Sequence, residues 1–258
     1  CIRDSTDNVS IPGESIDFGP CAFIDTFRHA AVFSSIDEQG RYSYRNQPAI
    51  TQWNLARFAE TLLDLINPDD PNAAVESATQ VLHDFEARYR DAWTSVFAAK
   101  LGVRTLEGDD EQENPASGEP TTAERVRSFA ERTLDLLEQD SLDFTGFFRT
   151  LTDAPDTLRT LTRMPATADT WLAELRDLRA ATGTSADVAQ ALMEASNPVY
   201  IPRNHHLESA LRAIERGEKA PLERILDAVR DPFTRRPHLA DLETPPPNAR
   251  AFTSFCGT

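Results

Sequence analysis

Lysine is nearly missing from this chain of 258 residues, which has it only at Lys100 and Lys219. Arginine supplies almost all the basic charge, so few candidates exist for a lysine that clamps phosphate as a point charge. Basic charge of either kind is outweighed, with 26 Lys and Arg against 42 Asp and Glu and a net charge of −16. That balance excludes nucleic acid and anionic membrane as partners, because neutralising phosphates needs clustered Lys and Arg. Cysteine is scarce as well: Cys1, Cys21 and Cys256 have no CxxC or Cys/His spacing. They give neither a structural zinc site nor a dense disulfide framework. No apolar run approaches the roughly 20 residues of a membrane-spanning helix, and no signal peptide is visible. A soluble cytoplasmic protein is expected. Methionine occurs only at Met164 and Met193, and the chain opens on Cys1, so it is expected to be a fragment of a longer chain.

Helical periodicity is what the sequence has in abundance. Residues 1–50 read as strands, turns and loops, with Pro-Gly and Gln-Gly turns and the aromatic run Arg41-Tyr42-Ser43-Tyr44. From 51 to 106 the period is helical: Leu55, Phe58, Leu62, Leu63 and Ile66 form one face of a helix that stops before Pro68. Val75, Ala78, Leu82, Phe85, Tyr89, Trp93 and Val96 continue the pattern through a long helix that ends near Gly102. Residues 107–120, EGDDEQENPASGEP, have almost nothing to bury and read as an exposed acidic loop. The region 121–242 is helical again and opens on a capping box, Thr121-Thr122-Ala123-Glu124. Val126, Phe129 and Leu136 face inward there. Further helices are predicted around Trp171–Leu178, Asp187–Met193, Leu207–Ile214 and Leu222–Val229. Residues 243–258 form an extended tail containing Pro245-Pro246-Pro247. The fold class is mainly α with a small β-hairpin segment.

Chemistry concentrates in the opening stretch STDNVSIPGESIDFGPC, residues 5–21. A hairpin turning at Pro12-Gly13 pairs Ile11 with Glu14, Ser10 with Ser15 and Val9 with Ile16, and sets Asn8 opposite Asp17. Directly opposed residues share a face with Cβ atoms about 4.5–5.5 Å apart. An amide oxygen and a carboxylate side by side are hard ligands suited to Mg²⁺. Asp17-Phe18-Gly19 repeats a protein-kinase signature in which the Asp and a catalytic-loop Asn hold metal while a nearby Asp orients the nucleophile. Asp4 and Asp7 are both candidates for that base. The bland alternative is that Asp7, Asn8 and Asp17 cap a turn.

Several strings together resemble the SelO family of protein adenylyltransferases. They are Thr6-Asp7-Asn8-Val9-Ser10-Ile11, Ile16-Asp17-Phe18-Gly19-Pro20, Phe23-Ile24-Asp25, Gln39-Gly40-Arg41-Tyr42, Asn46-Gln47-Pro48-Ala49 and Trp53-Asn54-Leu55-Ala56-Arg57. The likeness extends to Asn197-Pro198-Val199-Tyr200-Ile201-Pro202-Arg203-Asn204 and to Phe255-Cys256-Gly257-Thr258. The resemblance implies a protein-kinase-like fold, of which this chain is the C-terminal portion with residues 51–106 as helical C-lobe. It implies transfer of AMP from ATP, bound in a flipped orientation, to Ser, Thr or Tyr hydroxyls of protein substrates. Mg²⁺ is the implied metal, with Mn²⁺ as a substitute. Residue by residue, Asp7 matches the family's proton acceptor, Asn8 a magnesium ligand, and Asp17 the ligand of both magnesium and ATP. Family members carry a glycine-rich segment, an N-lobe lysine and glutamate, and ATP-contacting arginines before this point. The chain has none of these, so it is not expected to bind ATP alone. The resemblance also implies a redox-sensitive Cys21–Cys256 disulfide that tethers the tail. Ordinary γ-phosphoryl transfer and a non-catalytic pseudokinase interaction module are the alternative functions.

The remaining polar residues have plainer readings. His205 and His206 are adjacent on a helix and point about 100° apart, a poor chelating pair, and they are read as local packing residues. Arg203 is expected to pair with an acid rather than to reach a phosphate. Trp53, Trp93 and Trp171 are expected in the core.

Overall fold

The computed structural model of the chain describes residues 23–33, 37–105 and 120–245. Among these residues the structure is mostly helical, and the one β pairing is an isolated antiparallel bridge between Thr26 and Asp143. The hairpin segment at residues 1–22, nearly all of the acidic loop and the tail beyond 245 lie outside the described residues. The chain divides into two compact units. Of the described residues, the first holds His29–Trp93, and the second holds Phe23–Arg28 with the chain from Thr94 onward.

Within the first unit, residues 29–33 and 37–50 form no strand, which corrects the strand reading for that part of the chain. The Asp37 carboxylate accepts the backbone N–H groups of Arg41 and Tyr42, each at 2.8 Å, and curls the chain into a turn. A 3₁₀ turn at Tyr44–Asn46 follows and leads directly into helix α1, Gln47–Glu60. Pro48 falls in its first turn, where the missing N–H has no helical partner to lose. The single helix expected as far as Pro68 is two. The amides of Thr61 and Leu62 bond back to Phe58 and Ala59, which tightens the end of α1, and α2 restarts at Leu63–Ile66. The restart changes the phase, leaving Phe58 40% and Ile66 43% exposed, whereas Ile50 and Asn54 are the buried residues of α1.

Helix α3, Pro71–Lys100, is the predicted long helix. Asp70 caps it by accepting from the amides of Asn72 and Ala73 at 3.0 and 3.1 Å. Its half-buried stripe is Ala78, Leu82, Phe85, Tyr89 and Trp93, with Ala74 and Phe97 buried at the ends in place of Val75 and Val96. The stop near Gly102 is a Schellman turn, in which Gly102 N–H bonds Ala99 O at 3.1 Å and Val103 N–H bonds Ala98 O at 2.8 Å. Gly102 supplies the left-handed residue this needs, at φ 63°.

The second unit is a set of short helices: α4 Thr122–Asp140, α5 Phe144–Asp153, α6 Leu158–Leu161, α7 Pro165–Ala181, α8 Ala186–Ser196, α9 Asn204–Glu215 and α10 Ala220–Arg230. The capping box forms as predicted: Glu124 N–H donates to Thr121 Oγ1 at 3.1 Å and Thr121 N–H to Glu124 Oε2 at 2.9 Å. Helix α5 has no counterpart among the predicted helices, because Thr and aromatic residues give it low intrinsic propensity. Tertiary packing forms it. Phe147 and Phe148 are each 1% exposed, in edge contact with one another and with Trp171 and Phe97 respectively. The Trp171 indole N–H donates to buried Thr133 Oγ1 at 2.9 Å, which satisfies the one polar atom the ring carries inward. Val199, Tyr200, Ala228, Leu239 and Leu242 form a second apolar cluster in this unit. No helix of the described residues is long and apolar enough to cross a membrane.

Candidate functional site

The residues singled out for chemistry, Asp7, Asn8, Asp17, Cys21 and Cys256, all lie outside the described residues. The structure does describe how the chain is held immediately after them. Phe23 is two residues beyond Cys21 and six beyond Asp17.

The anchor is built from three elements of the second unit. At the end of α4 the chain reverses through Ser141, whose φ of 57° is left-handed without being glycine. Such a residue costs about 1 kcal/mol, and the turn lets Leu142 and Asp143 run antiparallel to residues 25–27. Phe27 N–H then bonds Leu142 O at 3.0 Å, and Phe144 N–H bonds Asp25 O at 2.8 Å. At the start of α9, Asn204 makes a reciprocal pair with the backbone of Phe23: it accepts from the N–H at 3.0 Å and donates to the C=O at 2.7 Å. Phe27 is fully buried and stacks obliquely on Phe144 with centroids 6.0 Å apart.

Arg203 joins these elements. Its side chain is 0% exposed and donates to Asp25 Oδ1, to both oxygens of Asp143 at 2.9 Å each, and to Glu243 O at 2.8 Å. The two bonds to Asp143 form the parallel fork that suits a guanidinium to a carboxylate. Asp143 serves twice, since its Oδ1 also caps α5 by accepting from Gly146 N–H at 2.6 Å. Burial opposes the charge on Arg203, but the two carboxylates outweigh it and raise its pKa. Burial pushes the Asp25 carboxyl above its ordinary range; Arg203 pulls it down and the Asp143 charge pushes it up. Removing one partner from such a buried ion cluster costs about 3–5 kcal/mol.

His205 and His206 follow directly, with ring centroids 4.2 Å apart. His205 Nδ1 lies 3.9 Å from Asp25 Oδ2, and both of its ring nitrogens are buried without a hydrogen-bond partner. Burial, reinforced by the positive fields of His206 and Arg203, drives the His205 pKa down to about 4. Burial also lowers His206, against the pull of Asp241. Among the described residues no group of three His, Cys, Asp or Glu side chains is placed to hold a metal ion.

The string from Asn197 to Asn204 is thereby a buried structural hub. Fully buried Asn197 donates to Lys100 O at 2.9 Å and Thr152 Oγ1 at 3.0 Å. Lys100 Nζ donates to Ser196 O at 3.1 Å and Asn197 Oδ1 at 3.4 Å, and sits 5.5 and 5.3 Å from the Phe144 and Phe148 ring centres. The Tyr200 hydroxyl accepts from Arg236 N–H at 2.7 Å and donates to Arg236 O at 3.1 Å. The expected acid partner of Arg203 is thus two acids, Asp25 and Asp143. Asp25 was signalled only by the string Phe23-Ile24-Asp25, and Asp143 by no motif at all. Two clefts elsewhere, of about 330 Å³ beside Phe129 and Arg132 and about 700 Å³ beside Leu151 and Arg176, contain none of these hub residues in their walls. An exposed pair lies in the wall of each cleft, Arg132–Glu174 in one and Arg159–Asp169 in the other.

Comparison with known proteins adds to this geometry. A family model described as "Protein adenylyltransferase SelO" matches residues 5–230. Proteins named "Protein nucleotidyltransferase YdiU" are similar: that of Jannaschia sp. (strain CCS1) is 41% identical over 98% of this chain and 50% of its own length. Those of Sphingopyxis alaskensis and Mycobacterium sp. (strain KMS) are 42% and 43% identical, again over 98% of this chain and 50% and 49% of their own lengths. The chain spans about half the length of the curated relatives it matches.

Proposed function

The chain belongs to the SelO family, and from that premise we propose that it is the C-terminal, metal-binding part of a protein-kinase-like enzyme that moves AMP from ATP onto protein hydroxyls. The observation that carries the reading is the family match over residues 5–230, which takes in Asp7, Asn8 and Asp17 together. A carboxylate and an amide oxygen are hard donors suited to Mg²⁺, with Mn²⁺ as its substitute. Asp17 and Asn8 would hold the ion, which neutralises charge on the triphosphate. Asp7 orients the Ser, Thr or Tyr hydroxyl and takes its proton. The hydroxyl oxygen bonds the α-phosphorus, the bond from that phosphorus to the α,β-bridging oxygen breaks, and pyrophosphate leaves. A chemistry that consumes ATP fits a cytoplasmic setting. The same reading includes a Cys21–Cys256 disulfide holding the tail.

Mass spectrometry of protein targets incubated with ATP and Mg²⁺ tests the assignment on the full-length protein. An adenylyl adduct that disappears in Asp17→Ala is expected. A phosphoryl adduct would instead assign γ-phosphoryl transfer, and a function untouched by Asp17→Ala would assign a non-catalytic interaction module.

A further inference from the structure

We propose that the cleft of about 700 Å³ walled by α5, α6 and α7 is a docking groove for a short segment of a partner protein, in which a leucine-like side chain is flanked by carboxylates. The inference concerns recognition and goes beyond the reaction assigned above. It holds whether an adenylyl or a phosphoryl group is moved.

The whole cleft lies within the second unit, so one compact body sets its geometry. Along α7, Leu172, Leu175, Arg176 and Arg179 follow the i, i+3, i+4, i+7 spacing that puts side chains on one face of a helix. Leu175 and Leu151 are each 1% exposed and make the floor apolar. Charge is distributed unevenly along the same stripe. Asp169, one turn before Leu172, is already paired with Arg159 of α6 at 3.0 Å. Arg176 is exposed and has no hydrogen bond or ion pair among the described residues. Arg179 is half-buried and bonds only uncharged atoms: Nε and Nη2 donate to Leu101 O at 3.0 and 2.6 Å, and Nη2 donates to Met193 Sδ at 3.1 Å. Burial lowers its pKa with no carboxylate to offset the effect. The groove thus has an apolar centre and, one turn along α7, two guanidiniums whose charge is uncompensated. A guanidinium accepts a carboxylate through a planar fork, and residues three apart on a helix stand close enough to serve neighbouring carboxylates. Arg159, Arg176 and Arg179 against Asp156 and Asp169 leave one positive charge in excess in the walls. That excess suits a segment with a few carboxylates and is far too small for nucleic acid, which needs clustered basic residues. The apolar floor calls for a side chain to cover it, which a simple anion lacks, and the volume is in the usual range for a ligand pocket.

The probe is the peptide Glu-Glu-Leu-Glu-Glu, amidated at its C-terminus and carrying a rhodamine label at its N-terminus; a second peptide has lysine in place of each glutamate. Fluorescence anisotropy measures their binding to the full-length protein without ATP or metal, which keeps the outcome separate from the reaction assignment. The acidic probe is expected to bind saturably and the lysine peptide not to bind. Arg176→Glu sets like charge against the probe and should weaken binding about tenfold or more. Raising the salt concentration from about 0.05 M to about 0.5 M should weaken it as well. Leu172→Ser, which makes the floor polar, should weaken it several-fold. Arg125→Glu, the same change in net charge at an exposed residue of α4 outside this cleft, should leave affinity within about twofold. Should Leu172→Ser fail to fold, Arg176→Glu carries the test, because Arg176 is exposed and gives up no bond. An acidic probe that does not bind, a lysine peptide that binds equally well, or binding untouched by Arg176→Glu overturns the proposal. Displacement of the probe by free N-acetylglutamate at the same concentration would assign the groove to small organic anions and overturn the peptide occupant.

Discussion

Lys100 offers the sharpest check on the energetics of the hub. Its ammonium lies in the last turn of α3, bonded to Ser196 O and Asn197 Oδ1 and facing two aromatic rings, with no ion pair to an acid among the described residues. Burial lowers its pKa from the ordinary 10.5 to about 8. That drop corresponds to roughly 3 kcal/mol, and to about 2 kcal/mol once screening of its partly exposed surface is allowed for. Below pH 8 the group is charged in both states and its burial counts fully against the fold. Between pH 8 and 10.5 the folded protein gives up the proton while the unfolded chain keeps it, so stability rises with pH across that window. Lys100→Met removes the titration and also two charge-assisted bonds worth about 1.5–3 kcal/mol each in gross terms. Near pH 7 the lost bonds and the relieved burial oppose one another. At pH 10.5 wild type should have gained about 2 kcal/mol on the variant. Urea denaturation at pH 7, 8, 9 and 10.5, extrapolated linearly to water, measures the difference, in which all other titrating groups cancel. Parallel pH profiles for the two proteins would refute the reasoning.

Two further outcomes are expected in the scaffold. Gly102→Ala would place a Cβ 2.7 Å from Ala189 O and 3.0 Å from Met193 Cγ at a φ of 63°, so a loss of about 2–4 kcal/mol is expected by thermal or urea denaturation. A loss under about 1 kcal/mol would mean that the α3–α8 contact relaxes freely. His205, held near 4 by burial, binds fewer protons folded than unfolded between pH 4 and 6.5. Its share of stability is therefore present above 6.5 and lost as pH falls toward 4. His205→Gln should flatten the acid limb of the stability curve by about 1–2 kcal/mol after screening, and an unchanged limb would show that His205 charges without cost.

The sequence by itself determined the features whose causes are local. The capping box at Thr121, the α3 stop at Gly102 and the periods of α4, α7, α8, α9 and α10 all follow from neighbours within about four residues, the reach of helical hydrogen bonds and caps. The family, too, was legible in short contiguous strings. Helix α5 was hidden because its aromatic and Thr residues favour no helix until Phe97 and Trp171 pack on them. The break between α1 and α2 was hidden because an apolar stripe reads as continuous even where two residues close a tighter turn. Only the tertiary structure decided which acids Arg203 serves, since Asp25 and Asp143 stand 178 and 60 residues away in sequence. Charge pairing in a buried site depends on what the folded elements bring within about 3 Å and what they shield from water, and neither quantity is a property of a stretch of chain.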